Sequence, residues 1–128
     1  MIRRPPRSTL DRSSAASDVY KRQVQQVNER ATHLGRDPGS IEKTFYITVN
    51  MNPDLGKAQA EAVEWLTEYY GSDIWGTRWG PCGGHERVSE RIFEYVAAGA
   101  ETVVVRFASF EHEGQLEIFL EKVAPAFA

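Results

Sequence analysis

The sequence predicts an α/β fold. Two pairings of helix and strand carry that prediction. In the first, Val88, Ile92 and Val96 lie on one helical stripe, with Phe93 and Ala97 beside it, and the β-branched run Val103-Val104-Val105 follows at once. A continuous apolar strand directly after an amphipathic helix points to a parallel sheet covered by helices. In the second, Phe45, Ile47 and Val49 alternate with Tyr46, Thr48 and Asn50, ahead of a long helical pattern over 55–70.

In chain order, the first 23 residues stand apart. They show no sustained helix or strand period and no apolar core of a secretory signal, and they read as a non-native or disordered extension, or as an opportunistic helix. The stretch resembles translated sequencing-adaptor read-through. From Val24, a short helical stripe of Val24, Val27, Ala31 and Leu34 runs to a stop at Gly35. Asp37-Pro38-Gly39-Ser40 is a turn cluster, and the strand over 43–51 follows. Asn52-Pro53-Asp54 turns the chain, with Asp54 placed as N-cap. The helix over 55–70 has Leu55, Ala58, Ala62, Val63, Leu66 and Tyr69 as its apolar stripe, with Glu61, Glu64 and Glu68 facing outward and Gly71 closing it. The stretch 72–82 is an irregular loop carrying Trp75 and Trp79. The helix over 85–98 places Glu86, Arg87, Glu90, Arg91 and Glu94 on its polar face, with Arg91–Glu94 a favourable pair three apart, and ends at Gly99. After the strand over 102–107, Ser109 is the expected N-cap of a final helix with a Leu116, Phe119, Leu120, Val123 stripe, ended by Pro125. Gly114 weakens its first turn by about 1 kcal/mol relative to alanine. The expected content is two strands and about four helices. Two strands make a poor sheet by themselves, which suits the end of a larger barrel better than a complete domain.

Composition narrows the function classes. With 128 residues the chain is at most one ordinary domain, and 41% hydrophobic residues suffice for a core. No apolar run reaches the length of a membrane span, so no membrane role is expected. The lone cysteine, Cys82, excludes an internal disulfide and a four-cysteine zinc site, and it fits a reducing, cytoplasmic setting. The net charge of −3 hides a split: residues 1–23 hold six Lys/Arg against two Asp/Glu, and the remainder nine against sixteen. Such a basic start can bind nucleic acid, but setting it aside leaves an acidic body with no nucleic-acid footprint. His33, His85 and His112 are too scattered for a metal signature. Gly80, Gly83 and Gly84 match neither a P-loop nor a dinucleotide fingerprint.

Several motifs, in their order and spacing, resemble the C-terminal end of the luciferase-like monooxygenase family. These are Leu34-Gly35-Arg36-Asp37-Pro38, the helix end Glu68-Tyr69-Tyr70-Gly71, and a long run of matched pieces. That run comprises Cys82-Gly83, Glu86-Arg87-Val88-Ser89-Glu90-Arg91-Ile92, Ala98-Gly99-Ala100, Val103-Val104-Val105-Arg106-Phe107-Ala108-Ser109, Gln115-Leu116-Glu117 and Val123-Ala124-Pro125. The family often places Gly-Thr-Pro before the penultimate helix, where this chain has Gly83-Gly84-His85. The resemblance covers about residues 24–128. It implies the C-terminal fragment of a TIM (β/α)8 barrel, with 43–51 and 102–107 as the last two strands. It further implies a parent oxidoreductase that passes a hydride through FMN or a deazaflavin coenzyme of the F-420 type, with or without incorporation of oxygen into a small-molecule substrate. The fragment alone is expected to be inactive, and its open strand edges are expected to drive homo-oligomerisation.

Barrel chemistry sits at the C-terminal ends of strands, so the cofactor-binding or substrate-pocket candidates are Asn50 and Arg106, with Trp75, Trp79 and Ser109. Arg106 offers a fork of donors to an anionic group or, alternatively, an ion pair to a loop carboxylate. Trp75 and Trp79 either wall a pocket or pack on the rim. Ser109 reads as a cap more than a ligand contact. Cys82 beside His85 lacks a third orienting group, so no catalytic residue is assigned. The reading from a different class is a small, complete, non-enzymatic α/β binding module. A monodisperse, cooperatively melting monomer would favour it.

Overall fold

One alternating stretch, one apolar run and a two-residue pairing build one small sheet. The computed structural model describes residues 7–74 and 80–128. Its elements are α1 (Arg7–His33), β1 (Thr44–Met51), α2 (Leu55–Tyr70), β2 (Cys82–Gly83), α3 (His85–Ala97), β3 (Thr102–Phe107) and α4 (His112–Ile118). The sheet has the order β2-β1-β3. β1 and β2 run parallel, in the register Asn50↔Cys82 and Met51↔Gly83. β3 runs parallel to β1 on the other side: Glu101 N donates to Lys43 O (2.8 Å) and Ala108 N to Val49 O (2.9 Å), so partner numbers rise together.

β2 corrects the expectation of two strands. The loop over 72–82 ends in a two-residue strand, because Asn50 N reaches Pro81 O (3.3 Å) and Asn52 N reaches Gly83 O (2.8 Å). So short a pairing leaves no period to read. Trp75 and Trp79 lie outside the described residues. α1 is also longer than expected, running unbroken across Gln23 from Arg7.

The chain divides into two compact units. One comprises 46–90 and 105–128 among the described residues. Here α2 is capped by the Asp54 carboxylate, which accepts from Lys57 N (3.2 Å), and closed by Gly71 at φ 70°. Its buried stripe is Ala58, Ala62 and Leu66; Ala62 and Leu66 pack with Ala108, flanked by Trp65. Leu55 and Tyr69, expected on that stripe, are exposed. Gly80 runs so close to β1 that a Cβ there would stand 1.9 Å from Thr48 O. α4 continues into a π-turn over Phe119–Val123 and a 3₁₀ turn over Ala124–Phe127. Gln115 and Val123 are buried, while Leu116 and Leu120, expected on the apolar stripe, are exposed.

The other unit comprises 7–45 and 91–104 among the described residues. Phe45 stacks on Tyr95 with ring centroids 3.7 Å apart, and Tyr20 meets both rings edge-on. Burial raises the Tyr95 phenol above its ordinary pKa, with Arg91 opposing and Glu94 reinforcing the shift. Gly99 (φ 119°) lets the backbone pass Val24, whose Cγ1 would lie 3.1 Å from a Cβ there. Lys43 Nζ donates to Pro38 O (2.7 Å), and the Thr102 hydroxyl donates to the Glu42 carboxylate.

α3 buries Val88, Ile92, Glu94 and Tyr95, while Val96 is exposed. Val88 and Ile92 are buried as expected, and Tyr95 takes the third place on the stripe, where Val96 was expected. The Arg91–Glu94 pair forms as expected, at 3.9 Å. Among the described residues, no helix is long and apolar enough to cross a membrane.

Two glycine substitutions separate close approach from open space. Gly80→Ala meets rigid backbone, and we expect it to cost about 2–3 kcal/mol. Gly114→Ala meets nothing within 4 Å in α4, and we expect it to stabilise by about 0.5–1 kcal/mol. Urea unfolding of both variants checks this; equal stabilities would contradict the approach of Gly80 to β1.

Candidate functional site

The C-terminal ends of β1 and β3 bring Asn50, Arg106 and Ser109 into one unit. In β1, Tyr46, Thr48 and Asn50 share the face that meets α2, because alternate side chains point the same way. Arg106 and Ala108 present the matching face of β3 and its continuation.

Asn50 is 1% exposed. Its carboxamide Nδ2 donates to Glu61 Oε1 (2.7 Å) and to Ala108 O (2.8 Å), engaging both amide hydrogens. One side chain thereby ties β1 to α2 and to the residue that follows β3. Glu61, expected to face outward, turns inward as its partner. Next to it, Gln115 of α4 clamps the last residue of β1. Its Oε1 accepts from Met51 N (2.8 Å) and its Nε2 donates to Met51 O (3.0 Å), a side-chain copy of a strand pairing. Ser109 is fully buried, and its Oγ accepts from Glu111 N (3.0 Å). The N-cap position of α4 is Glu111, so Ser109 closes the turn before the helix and is not its cap.

Arg106 is held differently. Its Nε donates to Thr48 Oγ1 (3.1 Å) and its Nη1 to Tyr70 OH (2.9 Å). The guanidinium carbon lies 5.3–5.5 Å from the ring centroids of Tyr46, Trp65, Tyr69 and Tyr70. Trp65 and Tyr69, four apart on α2, stack with centroids 5.1 Å apart. Among the described residues, no carboxylate pairs with Arg106. The loop carboxylate offered as its alternative partner is replaced by aromatic faces. Tyr69 was read as part of the apolar stripe and, with Tyr70, as the helix end, not as a clamp; Trp65 was missed, although three aromatic residues at 65, 69 and 70 of one helix were a signal that could have found it. The role of Gln115 left no signal in the sequence.

Cys82 is buried, and that burial raises its thiol pKa, partly offset by the Arg87 cation. A covered thiol whose pKa is raised is a poor nucleophile. Among the described residues, no three His, Cys, Asp or Glu side chains are placed to hold a metal ion.

No protein-family model matches the chain. No curated protein matches it by sequence. A solved structure described as an F420-dependent secondary alcohol dehydrogenase in complex with an F420–acetone adduct is similar in fold, with a TM-score of 0.71 and 19% sequence identity over 88% of this chain. The chain spans 40% of the length of that protein. At this identity the likeness establishes the mixed α/β fold.

The Gln115 clamp is testable through pH. In Gln115→Glu an ionised carboxylate would face Met51 O, and we expect a cost of about 1–3 kcal/mol near neutral pH. The protonated carboxyl can donate to that carbonyl and restore the pairing. The folded-state pKa of the introduced carboxyl therefore lies above its unfolded value of about 4.3. The stabilisation is present below that value and is lost as pH rises through the folded pKa. Urea midpoints of variant and wild type, compared at low and neutral pH, check this. A deficit that does not shrink on acidification would contradict the clamp.

Proposed function

We propose that this chain is the C-terminal part of a deazaflavin-dependent oxidoreductase of the luciferase-like kind. The intact enzyme would move a hydride between its coenzyme and a small organic substrate. The observation that carries the reading is the fold likeness over 88% of the chain to 40% of a deazaflavin-dependent dehydrogenase. It is supported by the motif order described above and by the edge of the sheet. The run Val103-Val104-Val105 has the composition of a strand covered on both faces, yet β3 is an edge strand and Val104 is 44% exposed. A further strand or helix from a longer chain would cover it. Residues 1–23 are then a non-native extension ahead of the barrel segment 24–128.

The described residues do not by themselves fit a flavin-type ring. The donors of Asn50 are engaged by Glu61 and Ala108, Ser109 is sealed, and both polar groups of the Met51 backbone are held by Gln115. No catalytic step is therefore routed through the coenzyme from these residues. In this reading they frame the barrel end, and the coenzyme contacts come from strands earlier in the parent chain. The coenzyme, when bound, would accept or deliver the hydride.

The test starts from the source DNA. Reading upstream of codon 24 is expected to reveal an open frame of about 200 further residues, enough for six barrel strands. The extended protein is expected to bind a deazaflavin coenzyme saturably, while the 128-residue chain binds neither that coenzyme nor FMN. A genuine start codon at Met1, or an extended protein that binds no deazaflavin, would overturn the reading.

A further inference from the structure

The clamp around Arg106 leaves part of a cation unanswered. A guanidinium carries five N–H donors. One, on Nε, reaches Thr48, and one, on Nη1, reaches Tyr70. Three remain, on Nη1 and Nη2, and no carboxylate pairs with them among the described residues. The rings of Tyr46, Trp65, Tyr69 and Tyr70 occupy the space around the guanidinium carbon at 5.3–5.5 Å. They answer the cation through their faces, but they cannot accept its in-plane N–H bonds at hydrogen-bond strength. The group is partly buried and keeps its charge, since arginine does not deprotonate in proteins. Its orientation is set by hydrogen bonds from both Nε and Nη1.

We propose that Arg106 and its ring of aromatic side chains form a binding site for a carboxylate carried on a flat, apolar body. A planar carboxylate meets the remaining Nη donors through charge-assisted hydrogen bonds. The same partly shielded setting strengthens that contact relative to one in open water. The flat body is called for by what surrounds the fork: Tyr46 is 53% exposed and Tyr69 62% exposed, so two aromatic side chains beside the cation are open to solvent. Tyr70, whose hydroxyl accepts from Nη1, is also exposed at its rim. A bare oxyanion would leave those rings wet, whereas an aromatic or alicyclic acid would cover them. The site stands on Arg106 and its neighbours within one unit and does not depend on the redox reading.

The experiment uses the full 128-residue chain. Benzoate is titrated by calorimetry, with tryptophan fluorescence as a second readout, because the Trp65 ring lies beside the guanidinium. Benzamide, acetate and inorganic phosphate are the comparison probes. Benzoate is expected to saturate, with benzamide and acetate each weaker by about tenfold or more. Arg106→Lys keeps the charge and the anchoring length but loses the planar fork, and is expected to weaken benzoate by about tenfold. Arg106→Met removes the cation and is expected to abolish binding; a thermal melt by circular dichroism confirms that each variant is folded, and if the Met variant is not, the Lys variant decides. Equal affinity for benzamide and benzoate would overturn the charge requirement. Tighter binding of phosphate than benzoate would overturn the flat carboxylate. Unchanged benzoate affinity in Arg106→Lys, or no saturation by benzoate in the wild type, would overturn the site.

Discussion

A single buried carboxamide organises the strand ends. Asn50 has two amide hydrogens and uses both, one on a carboxylate of α2 and one on a main-chain carbonyl just past β3. Neither acceptor is near it in sequence, so no local propensity could create the contact. In a water-poor setting such a bond is strong when made, and an unmatched polar group is costly. The node therefore fixes where α2 lies against β1 and β3 more sharply than the small apolar stripe of Ala58, Ala62 and Leu66 could. Gln115 repeats the device at the next residue, extending the pairing of β1 with a side chain where no strand is available.

Once α2 is fixed, the aromatic clamp follows. The helix lays Trp65, Tyr69 and Tyr70 over Arg106, and Tyr46 closes the set from β1. The result is an arginine stabilised without a carboxylate partner among the described residues. Polar groups at the strand ends thus have two fates. Those of Asn50, Ser109 and the Met51 backbone are paired internally and serve the fold. Those of Arg106 are partly open and can serve a ligand. Position at a strand end alone does not distinguish the two; the hydrogen-bond inventory does.

Much of this was legible in the sequence, and the limits have physical causes. The strand over 43–51 and the helix over 55–70 were readable because period, Asp54 cap and Gly71 stop all agreed. β2 was not, because two paired residues leave no period. The α3 stripe was read correctly at Val88 and Ile92 and missed only at its third place, where Tyr95, stacked on Phe45, is buried and Val96 is not. In the last helix the buried face includes the polar Gln115 in place of Leu116, and a polar residue facing inward leaves no apolar period to read. Asn50 and Arg106 were singled out by their position at strand ends, whereas Glu61 and Gln115 were not. Their roles exist only when distant backbone comes within reach.

The most direct measurement is urea unfolding of Asn50→Ala beside the wild type. If the carboxamide node holds α2 to the strand ends, the variant loses about 2–4 kcal/mol, because a buried carbonyl and a carboxylate lose their donor together. A loss under about 0.5 kcal/mol, the range of an ordinary surface substitution, would contradict the account, and the position of α2 would then have to rest on its apolar stripe alone.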